Sequence, residues 1–339
     1  MTLTARASQI VEYRTTAIDP FRVSKDQSVA VTLASISSLY SFTHAATSQQ
    51  QHSTALRDTI ATLLYCSLWG NRVDLSLFAA ADDRSSESIH AVSQLQRFLL
   101  ADDTEAIVER VLDERTRRID VVLDNYGYEL ACDLALVEYL LATGTVELVV
   151  LHAKARPTFV SDTTQQADIE RLLHELQHAS GVEPACRELA STLTRRLSSQ
   201  HGGSICVEAS EFWTEPFEFE QLERPDESRL DREALDTIRS LQAEFAASHL
   251  VLLKGDLNYR RLVGDRRHAS TTEFASVARF PAEHIAALRT LKSEVVVGLA
   301  ERHTEEALVA EHGASWQTSG ELGVVQYRAR APNSFTTNQ

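Results

Sequence analysis

The chain has 339 residues, 43% hydrophobic and 24% charged, and its acids outnumber its bases 48 to 33, giving a formal net charge of −15. That length suits two domains, or one large domain with an appended part, and the composition excludes disordered and collagen-like classes. The acidic balance argues against nucleic acid and anionic membrane as partners, because both reward lysine and arginine.

Cys66, Cys132, Cys186 and Cys206 form no CxxC pair, which points to a reducing compartment. No segment approaches 18 uncharged apolar residues and the polar start is unlike a signal peptide, so a soluble, cytoplasmic protein is expected.

In chain order, Val29, Val31, Leu33, Ile36 and Leu39 recur at helical spacing, and Leu56 to Leu68 and Val92 to Leu112 follow the same rule. Residues 81–87 read as an exposed loop. The first 115 residues are therefore expected to form a helical N-terminal domain. The pattern then changes to short, often β-branched runs: Ile119 to Leu123, Val146 to His152, Phe159-Val160, Ile205 to Val207, Leu250 to Leu253 and Val295 to Val297. Helical stretches over 129–142, 167–179, 185–197 and 232–248 lie between them. This alternation predicts an α/β domain over 116–332 with a mostly parallel sheet between helices, and a frayed tail over 333–339.

Three of the expected strands stop at oxygen-bearing side chains. Val121-Val122-Leu123 runs into Asp124-Asn125, Phe159-Val160 into Ser161-Asp162, and Leu250 to Leu253 into Lys254-Gly255-Asp256. In a parallel sheet such ends share one edge, where ligands bind. Carboxylates and an amide without nearby His or Cys suit a hard divalent cation better than zinc. The plainer reading is that Asp and Asn after strands are turn residues and helix caps. Lys254, Arg260 and Arg261 surround Asp256, and Arg289-Thr290-Leu291-Lys292 precedes another run; read alone, Arg289 and Lys292 are solvated surface bases. Beside a metal they would complement a phosphoryl group.

One rival motif is present. His174-Glu175-Leu176-Gln177-His178 matches HExxH, the helical zinc-protease signature. The third position of the longer signature is Pro184, and the same residues serve equally as the polar outer face of a helix. GxSxG, GxxxxGK[ST] and GxGxxG motifs are absent. Phe212-Trp213 reads as a core plug.

Taken together, these residues carry a resemblance. Leu68 to Ser76, Leu123 to Glu129 with Asp133, Phe159 to Thr164, Phe212-Trp213-Thr214, Lys254 to Arg260, Arg289 to Lys292 and Trp316 to Gly320 resemble, in order and spacing, the metal-dependent damage-control phosphatases, once known only as domain of unknown function 89. The RTxK tetrapeptide places the likeness in the sugar-phosphate branch. The resemblance implies a helical N-terminal domain and an αβα Rossmann-like sandwich. Its metal would be held by Asp124, Asn125 and Asp162, with Asp124 and Asp162 as catalytic residues. Substrate contacts would come from Asp124, Asn125, Asp256, Leu257, Asn258, Tyr259, Arg260 and Lys292, with Asn71 and Asp74 lining the cleft. Mn²⁺ is the expected cofactor, with Co²⁺, Ni²⁺ or Mg²⁺ as substitutes, and the partner is a small phosphorylated metabolite such as fructose 1-phosphate. Glu129 and Asp133 would support the site from behind. Relative to typical members, a shorter N-terminus is expected here.

Three readings follow. The first is a metal-dependent phosphatase of sugar phosphates or damaged phosphometabolites, with water or an aspartate as nucleophile. The second is an S-adenosylmethionine-dependent protein carboxyl O-methyltransferase, against which stands the missing glycine-rich turn after Leu123. The third is a catalytically dead sugar-phosphate sensor. The HExxH zinc protease stands behind all three.

Overall fold

The computed structural model describes residues 19–48, 53–70, 95–198 and 203–330. The expectations for Asn71, Asp74, the 81–87 loop and the 333–339 tail lie outside the described residues. The elements begin with α1 (Arg22–Ser48), α2 (Ser53–Trp69), β1 (Leu99–Asp102), α3 (Thr104–Leu112), β2 (Arg118–Val122) and α4 (Tyr128–Ala142). There follow β3 (Leu148–Lys154), α5 (Gln165–His178), α6 (Pro184–Leu197) and β4 (Ile205–Ser210). The chain continues with α7 (Arg232–Ala246), β5 (Leu250–Lys254), α8 (Gly255–Leu262), β6 (His284–Thr290), α9 (Glu305–His312) and β7 (Gly323–Ala329). No described helix is long and apolar enough to cross a membrane.

By internal contacts the chain forms two compact units, each made from two chain segments. The first joins the described residues up to Gln96 to Leu123–Glu215, and the second joins Arg97–Val122 to the described residues from Pro216 onward. In the first unit α4 is the centre: every residue from Tyr128 to Leu141 is buried. Mostly apolar around its whole circumference, with buried Glu129, Asp133 and Glu138 as exceptions, it must be covered on all sides, and α1 and α2 both pack on it. Val29, Ile36 and Leu39 are buried at the spacing the sequence predicts. Close approach fixes one glycine here, since a Cβ on Gly70 would stand 2.8 Å from Glu129 Cα. Strands β3 and β4 pair in parallel from Val149↔Ile205 to Lys154↔Ser210.

The second unit holds five strands in the order β1-β7-β6-β5-β2. Strands β2, β5 and β6 are parallel, with Val122↔Leu253 and Lys254↔Leu288 near their carboxyl ends. Strand β7 runs antiparallel to β6 and parallel to β1. Phe219, Phe245 and Phe280 make edge contacts in its core, at 5.5 and 4.7 Å between centroids. The α/β class with mostly parallel strands and flanking helices is therefore present.

Several local expectations are corrected. Val92 to Leu112 is not one helix, because within it strand β1 precedes α3. Asp102 Oδ1 accepts from the N–H and the hydroxyl of Thr104, at 3.1 and 2.5 Å, which ends the strand and starts the helix. Phe159-Val160 is a turn rather than a strand, with both side chains exposed. Val295 to Val297 is not a strand either; the Val297 and Gly298 amides go to Tyr259 Oη and the Thr272 carbonyl. Strands β6 and β7 lay outside the expected set.

Candidate functional site

The β-branched run of β2 ends at Val122, and the next residue, Leu123, donates its N–H to the His152 carbonyl of β3 at 3.0 Å. Beyond it the chain is zipped to the 161–163 segment. Thr163 N–H donates to Asp124 O at 2.9 Å, Tyr126 N–H to Ser161 O at 2.6 Å, and Asn125 and Asp162 form an antiparallel bridge. This pairing brings Asp162 beside the consecutive pair Asp124-Asn125, from which it is distant along the chain. Gly127 follows with φ +87°, a region an L side chain avoids, and a Cβ there would meet Ser28 Oγ at 2.8 Å.

Each of the three side chains is oriented by named partners. Asn125 Nδ2 donates to Glu129 Oε2 at 2.7 Å and Asp124 Oδ2 at 2.9 Å, while its Oδ1 accepts from Ser161 Oγ at 2.6 Å. Asp162 Oδ2 accepts the Thr158 and Phe159 N–H groups at 2.9 and 2.7 Å. These two bonds are what curl 158–162 into a turn where the apolar pair alone reads as strand. Behind the site, Asp133 Oδ1 accepts from Ser67 Oγ at 2.5 Å.

The sequence reading missed a cation here. Lys154, the last residue of β3 and 3% exposed, places Nζ 2.5 Å from Asp162 Oδ1 and 3.4 Å from Asp124 Oδ1. Burial works against its charge, but Asp162 and Asp124 outweigh that and raise the ammonium above its ordinary value. A signal existed: a lysine that closes a buried apolar strand cannot reach bulk water and must meet an anion. Lys254 closes β5 in the same way and is equally buried.

The donor set fits a hard divalent cation, since it offers two carboxylates and an amide oxygen with no sulfur or imidazole. Among the described residues no group of three His, Cys, Asp or Glu is placed to hold a metal. The trio reaches three donors only through the Asn125 amide.

The second unit builds its own carboxylate–cation cluster after β5. Asp256 Oδ1 accepts from Arg289 Nε at 2.8 Å, Lys292 N–H at 3.1 Å and Ser293 Oγ at 3.1 Å. Arg289 is fully buried, so the reading of it as a surface base is wrong. Its guanidinium also donates to the Ser293 and Val295 carbonyls and lies over the Tyr259 ring. It thereby ties the 291–297 segment to β6. Lys292 is exposed as expected, and its aliphatic stem runs past Gly320.

The other expected contacts are mostly engaged within this unit. Asn258 is buried and donates to Lys254 O at 2.8 Å. Tyr259 is buried with its hydroxyl on Gln326 at 2.8 Å, and burial pushes that phenol up to about 12. Leu257 is half-buried. Arg260 forms a two-pronged pair with Asp265 at 2.7 and 2.6 Å.

A family model described as the damage-control phosphatase ARMT1-like domain matches residues 1–308. The chain belongs to that family. Curated relatives named damage-control phosphatase ARMT1 agree: the Danio rerio protein is 32% identical over 91% of this chain and 67% of its own length. The Mus musculus and Homo sapiens proteins are 31% and 32% identical over 80% of this chain. The chain spans only 59% of the length of those two relatives. A solved DUF89 family protein from Pyrococcus horikoshii aligns over 78% of this chain and 67% of its own, with 16% identity and a TM-score of 0.39.

Two further expectations concern the HExxH residues and Phe212-Trp213. The HExxH residues lie on α5, where His174 and His178 are exposed, with rings stacked 4.2 Å apart and His178 Nδ1 on the His174 carbonyl at 2.8 Å. Glu175 sits 3.6 Å from Arg171. They form a solvated helix face. Phe212 and Trp213 are buried, with Trp213 edge-on to His152 at 5.9 Å, as a core plug requires.

Proposed function

We propose that the chain is a metal-dependent phosphomonoesterase of small sugar phosphates or related damaged phosphometabolites. The observation that carries this is the backbone zipper that sets Asp124, Asn125 and Asp162 side by side in a member of a phosphatase family. These three residues would hold a divalent cation, with Mn²⁺ favoured and Co²⁺, Ni²⁺ or Mg²⁺ able to replace it. When bound, such a cation withdraws charge from phosphoryl oxygens.

The protein's own residues supply the rest. Glu129 and Ser161 hold the Asn125 amide so that its oxygen, not its nitrogen, is turned away from Glu129. The Thr158 and Phe159 amides hold one Asp162 oxygen and so fix the direction of the other. A site prearranged in this way need not reorganise as charge develops. The roles in substrate binding assigned to Asp256 to Arg260 and Lys292 belong to the same reading, supported by the RTxK tetrapeptide at Arg289 to Lys292.

A phosphate-release screen over phosphorylated sugars, with each of the four metals and a chelator control, tests the reading. Metal-dependent release from hexose or pentose phosphates is expected, and it is expected to vanish in Asp124→Ala while the fold is kept. Wild-type turnover by that variant would sink the assignment. Adenosylmethionine binding without any metal requirement would favour the methyltransferase instead.

A further inference from the structure

The three proposed ligands leave one strong group of the first unit without a task. Lys154 is nearly inaccessible, fixed at the carboxyl end of β3 and held by ion pairs to Asp162 and Asp124. An ammonium has three N–H donors. One is spent on Asp162 at 2.5 Å, and a second reaches Asp124 only at 3.4 Å, near the limit of a hydrogen bond. The third has no partner among the described residues. Of the residues grouped with it, Asp124 is partly exposed and Ser161 exposed.

Charge balance gives that spare donor a purpose. Asp124, Asp162 and Glu129 are carboxylates gathered on Asn125 and Lys154. A divalent cation offsets two of their charges, and the remaining one would repel a phosphomonoester dianion at short range, where low dielectric strengthens the effect. The Lys154 ammonium removes that repulsion and adds a charged donor.

We propose that Lys154 contacts the phosphoryl group: held between Asp124 and Asp162, its ammonium donates to an oxygen of a phosphomonoester bound at those carboxylates. This rests on the phosphatase reading and adds to it a binding residue other than the metal ligands. It also specifies the ligand class, because a neutral sugar or a carboxylic ester offers such a donor no anionic oxygen and hence only a weaker hydrogen bond.

The test uses the whole chain, Lys154→Met and Lys154→Arg, with three titrations: Mn²⁺ alone by calorimetry, inorganic phosphate onto the Mn²⁺-loaded protein, and phosphate release. In Lys154→Met, Mn²⁺ affinity is expected to stay equal or tighten, since a competing cation is gone. Phosphate affinity is expected to fall about 30-fold or more and turnover about 100-fold. Lys154→Arg keeps the charge in another shape, so its phosphate affinity is expected between the two; that variant carries the test if Lys154→Met does not fold. Loss of Mn²⁺ affinity in step with phosphate affinity would show that Lys154 only positions Asp162, and would overturn the proposal. Unchanged phosphate affinity in either variant would do the same while leaving the phosphatase reading intact. A wild-type chain that takes up no Mn²⁺ would overturn both.

Discussion

The two carboxylate–cation clusters begin from the same local recipe, a buried strand ending in lysine with an aspartate close by, yet they spend their hydrogen bonds differently. At Asp256 the cation is Arg289, whose guanidinium is consumed by Asp256, Ser293 and Val295. At Asp162 the cation is Lys154, which keeps a donor in reserve, and Asn125 and Asp124 stay partly open to solvent. A planar fork with five donors is suited to stapling loops, whereas a compact ammonium can be shared with a ligand. The lesson is that a strand-end aspartate becomes informative only when its partners are counted.

This contrast can be broken by substitution, and the largest effect is expected at Asp162. Asp162→Ala strands the buried Lys154 charge and two turn amides, so unfolding free energy should drop about 3–5 kcal/mol and Mn²⁺ binding should disappear. A urea titration showing less than about 1 kcal/mol of loss would mean the ammonium is solvated after all.

Next comes the buried pair that anchors α5 to α1. Asp168 accepts from Lys25 Nζ at 2.8 Å and from the Thr164 N–H and hydroxyl, and it pairs with Arg22. Burial pushes its carboxyl up, but Lys25 and Arg22 outweigh that and hold it below the usual carboxylate range. A depressed folded-state pKa contributes stability above the unfolded value of about 4 and loses it as pH falls through the folded one. Asp168→Asn should therefore cost about 1.5–3 kcal/mol at pH 7, and the gap to wild type should close below about pH 4. A gap that widens in acid would refute the pairing.

Asp256→Asn sharpens the comparison from the other side. It weakens charge-assisted bonds to Arg289, Lys292 and Ser293, with a loss of about 1–2 kcal/mol by denaturation. Mn²⁺ affinity should not move, and a tenfold weakening would place Asp256 among the metal ligands. The smallest change is expected from Arg260→Ala. Its pair with Asp265 is exposed, so stability should shift by no more than about 1 kcal/mol. Any rise in KM for a sugar phosphate would then report a substrate contact directly.

How far the sequence could be read follows from these particulars. The runs that became β2, β3, β4 and β5 were legible because β-branched residues in short bursts between helical stretches have few alternatives. The helices α1, α2 and α4 to α7 were legible from periodicity for the same reason. Strand β1 was hidden inside a helix-like pattern, and Phe159-Val160 and Val295 to Val297 look like strands although the Phe159 amide is taken by Asp162 and the Val297 amide by Tyr259. Periodicity reports which face is apolar, not where a backbone donor finds its acceptor.

The site divides in the same manner. Asp124, Asn125 and Gly127 could be read as types and spacings after the β2 run, whereas the expectation for Asp162 rested on a strand at Phe159-Val160 that is a turn. That Asp162 bridges Asn125, that Lys154 stands between two aspartates, and that Arg289 is buried instead of solvated were decided by the tertiary structure alone. The physical reason is that a charge is assigned its partner by burial, and burial depends on residues that come from elsewhere in the chain.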